Sequence, residues 1–166
     1  MVSFGHTAVG VIVGATAYNF LGQSALTTGL ITTGFVGVLS HYFMDAIPHG
    51  HFFMPQGFKK GIIKIIIFDL SLSLVLFLGL VYLKNGLDTK FLYILFGIGG
   101  SQLPDVLDGL IYTDIIKARG FLKIENAIHE AIHWHGRGSQ TLILGKRDIW
   151  QASVIIFALA LVLFKW

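Results

Sequence analysis

Long apolar runs separated by short polar breaks organise this chain. Phe4 to Leu21 is the first run, and the uncharged turn GQSA separates it from a second, Leu26 to Ile47. Pro48 and Pro55, with Gly50 and Gly57, break the helix there. Lys59 and Lys60 open a third run, Ile62 to Leu83, and the polar turn KNGLDTK leads to a fourth, Phe91 to Tyr112. Within the fourth, GGSQLP at Gly99 to Pro104 marks a kink or restart. The run DIWQASVIIFALALVLFKW closes the chain between Trp150 and Trp166 as aromatic anchors. Each run approaches the ~18–20 residues that span a bilayer. The segment FLKIENAIHEAIHW, Phe121 to Trp134, instead has helical spacing of apolar residues in polar surroundings, as an interfacial helix would. The pattern predicts an all-α integral membrane protein of about five transmembrane helices plus an interfacial helix, folded as one domain over residues 1–166.

Composition supports that expectation. The 166 residues are 54% hydrophobic, and the mean hydropathy is +0.74. Cysteine is absent, which excludes disulfides and thiolate metal sites. The first run has no basic residues before it and no polar-flanked cleavage site, so it is expected to be retained. The basic pI of about 9.2 does not call for nucleic acid, because Lys and Arg fall in the breaks between runs. Alternating loops put nine of the twelve Lys and Arg on the side of the N-terminus. The expected location is therefore multi-pass in a bacterial inner membrane, with the N-terminus cytoplasmic.

The polar residues inside the runs carry the chemistry. His6 opens the first; His41 and Asp45 lie one helical turn apart near the end of the second; Asp69 lies in the third; Asp105 and Asp108 are three apart in the fourth. His49 and His51 follow Asp45, while His129, Glu130, His133, His135 and Arg137 occupy the polar segment. With the expected topology, all seven histidines and every carboxylate except Asp88 reach one cytoplasmic-side layer. Imidazole and carboxylate together suit zinc, and also manganese or iron. The candidate ligands of one or more divalent ions are His6, His41, Asp45, His49, Asp105, Asp108, His129 and His133. Glu130 and Asp69 are candidate general bases, and Arg137 a phosphate contact. Glu125, Asp114 and Asp148 read as helix-end residues. Gly10 and Gly14, in GVIVG, suit close helix packing.

With SHYFMDAIPHGH, LPDVLD, HEAIHWHGRG and FGHTAVG in view, the chain resembles the small bacterial inner-membrane proteins known as predicted metal-dependent hydrolases. Locally, His41, Asp45 and His49 are similar to a helix of zinc-dependent phospholipases C and related single-strand nucleases, in which His and Asp bind zinc. The resemblance implies metal-dependent hydrolysis of a phosphoester in a membrane lipid or lipid-linked substrate at the cytoplasmic leaflet. Two rival expectations use the same residues. In an intramembrane metalloprotease, His129-Glu130-x-x-His133 would hold zinc. In a metal-binding or ion-conducting protein, polar residues would continue through the other half of the runs, where only Ser, Thr, Asn19 and Gln23 are found. An oligomer is left open.

Overall fold

The computed structural model describes residues 3–22, 25–46, 59–83 and 87–132, with isolated helical positions at 153, 156, 157 and 160. Five helices fall in these stretches: α1 (Ser3–Leu21), α2 (Leu26–Asp45), α3 (Lys59–Leu83), α4 (Thr89–Tyr112) and α5 (Phe121–Ile132). No strand occurs among the described residues. α4 starts at Asp88, whose side chain accepts a hydrogen bond from the Phe91 backbone N–H at 3.1 Å, capping the first turn. It then continues unbroken through Pro104 instead of restarting at GGSQLP. The proline removes the N–H that would have met the carbonyl one turn back, and its ring crowds that carbonyl, yet α4 runs through it.

α4 is the central element. It packs along α1 and α2, with smaller contacts to α3 and α5. Small residues make the close approach. A side chain at Gly97 would meet the Gly10 carbonyl oxygen, and one at Gly100 would meet that of Gly34. Gly14 stands against the Ile94 backbone. Val11, Leu80, Phe91, Ile94 and Ile98 form the apolar core beside these contacts. A polar knot joins α1, α3 and α4: Thr7 and Ser73 hydroxyls lie 2.6 Å apart, and the Gln102 amide donates to both. Such a knot is stable in a dry interface because its polar groups are paired.

Among the described residues, no helix is long and apolar enough to cross a membrane. This finding corrects the expected integral membrane fold with its transmembrane helices, the multi-pass inner-membrane location, and the assignment of the N-terminus and site to a cytoplasmic side. The reason lies in what the runs contain. α1 and α2 have 19 and 20 residues, close to the ~20 a span requires. Both give up many positions to glycine, threonine and histidine. In α2 the buried stripe is Gly29, Thr33, Gly37, His41 and Asp45, one residue every turn. Large apolar side chains such as Ile31, Phe35 and Phe43 lie on its exposed side. Total apolar content predicts a span but takes no account of this small, polar seam. The closing run, including Trp150 and Trp166, lies almost entirely outside the described residues.

Candidate metal centre

The α2 stripe delivers His41 and Asp45 to the same end of the bundle as His6 from α1 and Asp105 from α4. One ligand atom from each of these four lies within 4.8 Å of all the others, so the group can hold a metal ion. His6, His41 and Asp45 are fully buried, and the Asp105 side chain is 27% exposed. α5 adds a fifth donor. His129 Nε2 lies 3.2 Å from Asp45 Oδ2, 3.6 Å from Asp105 Oδ1 and 3.2 Å from His41 Nε2.

Asp45 is the hub. His41 Nε2 is 2.9 Å from its Oδ2, and His6 Nε2 is 3.2 Å from its Oδ1. Asp105 faces the same imidazoles from the other side, with Oδ2 3.7 Å from His6 Nε2 and Oδ1 3.8 Å from His41 Nε2. Burial alone would push the Asp45 carboxyl up. The three imidazoles of His129, His41 and His6 packed against it outweigh burial and hold the group far below the usual carboxylate range. Burial pulls His6 below its ordinary value of 6.5, against the opposing pull of Asp45. Burial also acts to lower His129, but Asp45, Asp105 and Asp108 together raise it.

Backbone contacts tune these donors. The Ser101 carbonyl lies 2.8 Å from His41 Nδ1. A carbonyl only accepts, so Nδ1 donates to it, and Nε2 faces the cluster, where it can give its lone pair to a cation. The Ser101 hydroxyl donates to the carbonyls of His6 and Ile98 at 2.8 and 3.0 Å, tying α1 to α4 at this level. Neither ring nitrogen of His6 has a hydrogen-bond partner among the described residues, although the ring is wholly buried. Such a group is costly unless something satisfies it, and a cation would. The residues present therefore fit a metal ion.

The Tyr42 hydroxyl donates to Glu125 Oε1 at 2.9 Å, and Glu125 is itself buried. Glu125 stands one turn before His129 on α5, so this bond sets the depth at which His129 enters. Sequence reasoning placed Glu125 at a helix end and passed over Tyr42 and Ser101. Only the adjacency of Tyr42 to His41 hinted at a role; the Ser101 carbonyl left no trace in the residue pattern. Tyr42→Phe is expected to destabilise the fold by ~1–3 kcal/mol, because it strips a buried carboxylate of a donor. It should also weaken metal binding by roughly 10–100-fold through loosened support of a ligand. Chemical denaturation and metal titration of one preparation check both.

Of the other sequence candidates, Asp108 lies one turn beyond Asp105 and is part-buried, and its charge reaches His129. Asp69 falls on α3 and Glu130 on α5, but their side chains lie outside the described residues, as do His49, His51, His133, His135 and Arg137 entirely. The described residues define an all-helical fold with a buried histidine–aspartate group able to hold a metal ion. No family model matches the chain, and neither does any curated protein or solved structure.

Protons and cations compete for these nitrogens, and the directions of shift fix the signs. A ligating imidazole must be deprotonated, so apparent metal affinity should fall by about tenfold per pH unit for each proton displaced. With His129 raised, that competition extends above pH 6.5. In the metal-free protein, the raised His129 contributes stability that is fully present below 6.5 and lost as pH climbs through its folded value. The lowered His6 works oppositely, with stability lost as pH falls below 6.5. Metal titrations and unfolding curves from pH 5 to 9 should show affinity rising with pH, while metal-free stability declines on both sides.

Proposed function

We propose that this chain is a divalent-metal-dependent hydrolase of phosphoesters, with zinc as its metal. The convergence of His6, His41, Asp45, Asp105 and His129 from four helices on one buried site carries the reading. Three imidazoles and two carboxylates are a donor set that zinc accepts. A bound divalent cation acidifies water and polarises a phosphoryl oxygen. The chain's own residues hold and orient it: Ser101 fixes the His41 tautomer, and Tyr42 and Glu125 seat α5. The partly exposed Asp105 edge is where a substrate reaches the centre. In this reading Glu130 or Asp69 serves as general base, Arg137 meets phosphate, and His49, His133 and Asp108 are further candidate ligands.

An apolar portion of the substrate, as in a lipid or lipid-linked phosphate, would meet exposed apolar side chains of the same helix, Ile31, Phe35, Leu39 and Phe43, on the face of α2 opposite Asp45. The metalloprotease alternative needs His129 on a zinc shared with His133. The position of His129 Nε2 between Asp45, Asp105 and His41 argues for the other partners. The test is hydrolysis of bis(p-nitrophenyl) phosphate and of a phospholipid in mixed micelles, beside a casein control. Zinc-dependent phosphate-ester cleavage that chelation removes and zinc restores is expected. Zinc-dependent casein cleavage with inert phosphoesters would overturn the reading.

A further inference from the structure

The five donors do not surround one point; they divide into two sets. His41 Nε2, His129 Nε2, Asp45 Oδ2 and Asp105 Oδ1 form the first, with separations of 2.9, 3.2, 3.2, 3.6 and 3.8 Å. Donors at the corners of a zinc tetrahedron, at bonds of ~2.0–2.1 Å, stand ~3.3–3.4 Å apart. These five of the six edges of the first set lie within about half an ångström of that spacing. His6 Nε2, Asp45 Oδ1 and Asp105 Oδ2 form the second, with separations of 3.2 and 3.7 Å. Each aspartate thus turns one oxygen to each set. We propose that the centre takes two divalent cations that share both Asp45 and Asp105, one in a closed four-donor position and one in an open three-donor position.

Ring orientation separates the two positions independently of the distances. A ring nitrogen's lone pair lies in the plane of its ring. His6 and His41 are stacked, with centroids 4.0 Å apart and planes only 24° from parallel. Both turn Nε2 towards Asp45, so their lone pairs run side by side instead of meeting at one ion. Their ~4 Å offset matches the ~3.5–4 Å between the ions of two-metal sites. His41 and His129 differ: their planes cross at 64°, and their Nε2 atoms lie 3.2 Å apart, as two ligands of one ion would. The buried His6 ring, without a hydrogen-bond partner on either nitrogen, is the donor that a single-ion arrangement at the first set leaves unused.

The two positions differ chemically. The closed one has all four corners taken by protein and draws α5 onto α2 and α4 through His129. The open one has three protein donors, the number that leaves room for water or substrate. Asp105, the partly exposed member of the cluster, gives it an outlet. Two dications against two bridging carboxylates leave positive charge, which Asp108 reduces without cancelling. That excess favours an anionic phosphoester over a neutral peptide.

This inference rests on the metal-binding reading, and metal stoichiometry tells their failures apart. The full chain is saturated with Mn2+, freed of loose ions by gel filtration and assayed for metal and by electron paramagnetic resonance. Two ions per chain with the multiline signal of an exchange-coupled pair is expected. One ion per chain, or two uncoupled ions, would overturn the pair and leave the metal reading intact; no retained ion would overturn both. His6→Ala should bring the count from two to one and replace the coupled signal by that of isolated Mn2+, with helical circular dichroism unchanged. A coupled pair persisting in His6→Ala would overturn the assignment of the open position. Should that variant not fold, the count and coupling in the unmodified chain still decide.

Discussion

Asp45→Asn is expected to abolish metal retention and to lower phosphoester hydrolysis by at least ~10³-fold, since a lost metal removes several kcal/mol of charge stabilisation. Asparagine keeps the volume and the helix, but one oxygen becomes an NH2 donor facing imidazole lone pairs. Asp45 is wholly buried and within 3.2 Å of His6, His41 and His129, closer to all three than Asp105 is. The stability consequence has a definite sign. A depressed folded-state value gives Asp45 a stabilising contribution above its ordinary 3.8 that disappears as pH falls below it. Asp45→Asn should flatten that acid limb in the metal-free protein. Asp88→Asn is the control: it touches only the α4 cap, should cost about 1 kcal/mol or less, and should leave metal content unchanged. Full metal retention by Asp45→Asn would remove Asp45 as the hub and sink the proposed centre.

The sequence made the helices legible because apolar runs and their breaks carry the 3.6-residue code directly. Leu21, Leu83 and Tyr112 end their helices where the pattern says, and α5 begins at Phe121 as its amphipathic spacing requires. The pairing of His41 with Asp45 was also readable, being local to one helix. Contacts between helices were not. Nothing near Ser101 indicates that its carbonyl reaches His41, sixty residues away, or that Tyr42 bonds Glu125. The membrane expectation failed for a related reason. Hydropathy counts residues by type, whereas α2 buries its small and polar positions every fourth residue, and that seam depends on the neighbouring helix. The same seam brought the ligands together, so the grouping of His6, His41, Asp45 and Asp105 does not depend on the transmembrane topology first used to collect them.

That seam makes the second large effect a steric one, expected at Gly97. A methyl group at Gly97 would run into the Gly10 carbonyl oxygen and lie 2.9 Å from the Gly14 backbone nitrogen. Both are backbone atoms of α1, so no side-chain rotation relieves the clash and the two helices must separate. Forced overpacking of this kind costs typically ~1–3 kcal/mol and occasionally more. With rigid backbone on both sides, Gly97→Ala should reach the upper end, lowering the melting temperature by roughly 6–12 °C for a chain of this size. Gly99, two residues along the same helix, meets nothing within 4 Å. Gly99→Ala should therefore be neutral or stabilising by up to ~1 kcal/mol, the helix-propensity gain of alanine over glycine. The Gly97 effect also reaches the metal centre. His6 sits one turn before Gly10 on α1, while Asp105 is fixed to α4, so parting the helices widens the His6 to Asp105 gap, which is 3.7 Å. The open position loses geometry before the closed one, whose donors come from α2, α4 and α5. Metal titration of Gly97→Ala should show the weaker-bound ion lost first, with affinity at the other changed less. Equal melting temperatures for Gly97→Ala and Gly99→Ala would mean that α1 and α4 do not pack through Gly10, Gly14 and Gly97, and the placement of His6 would fall with them.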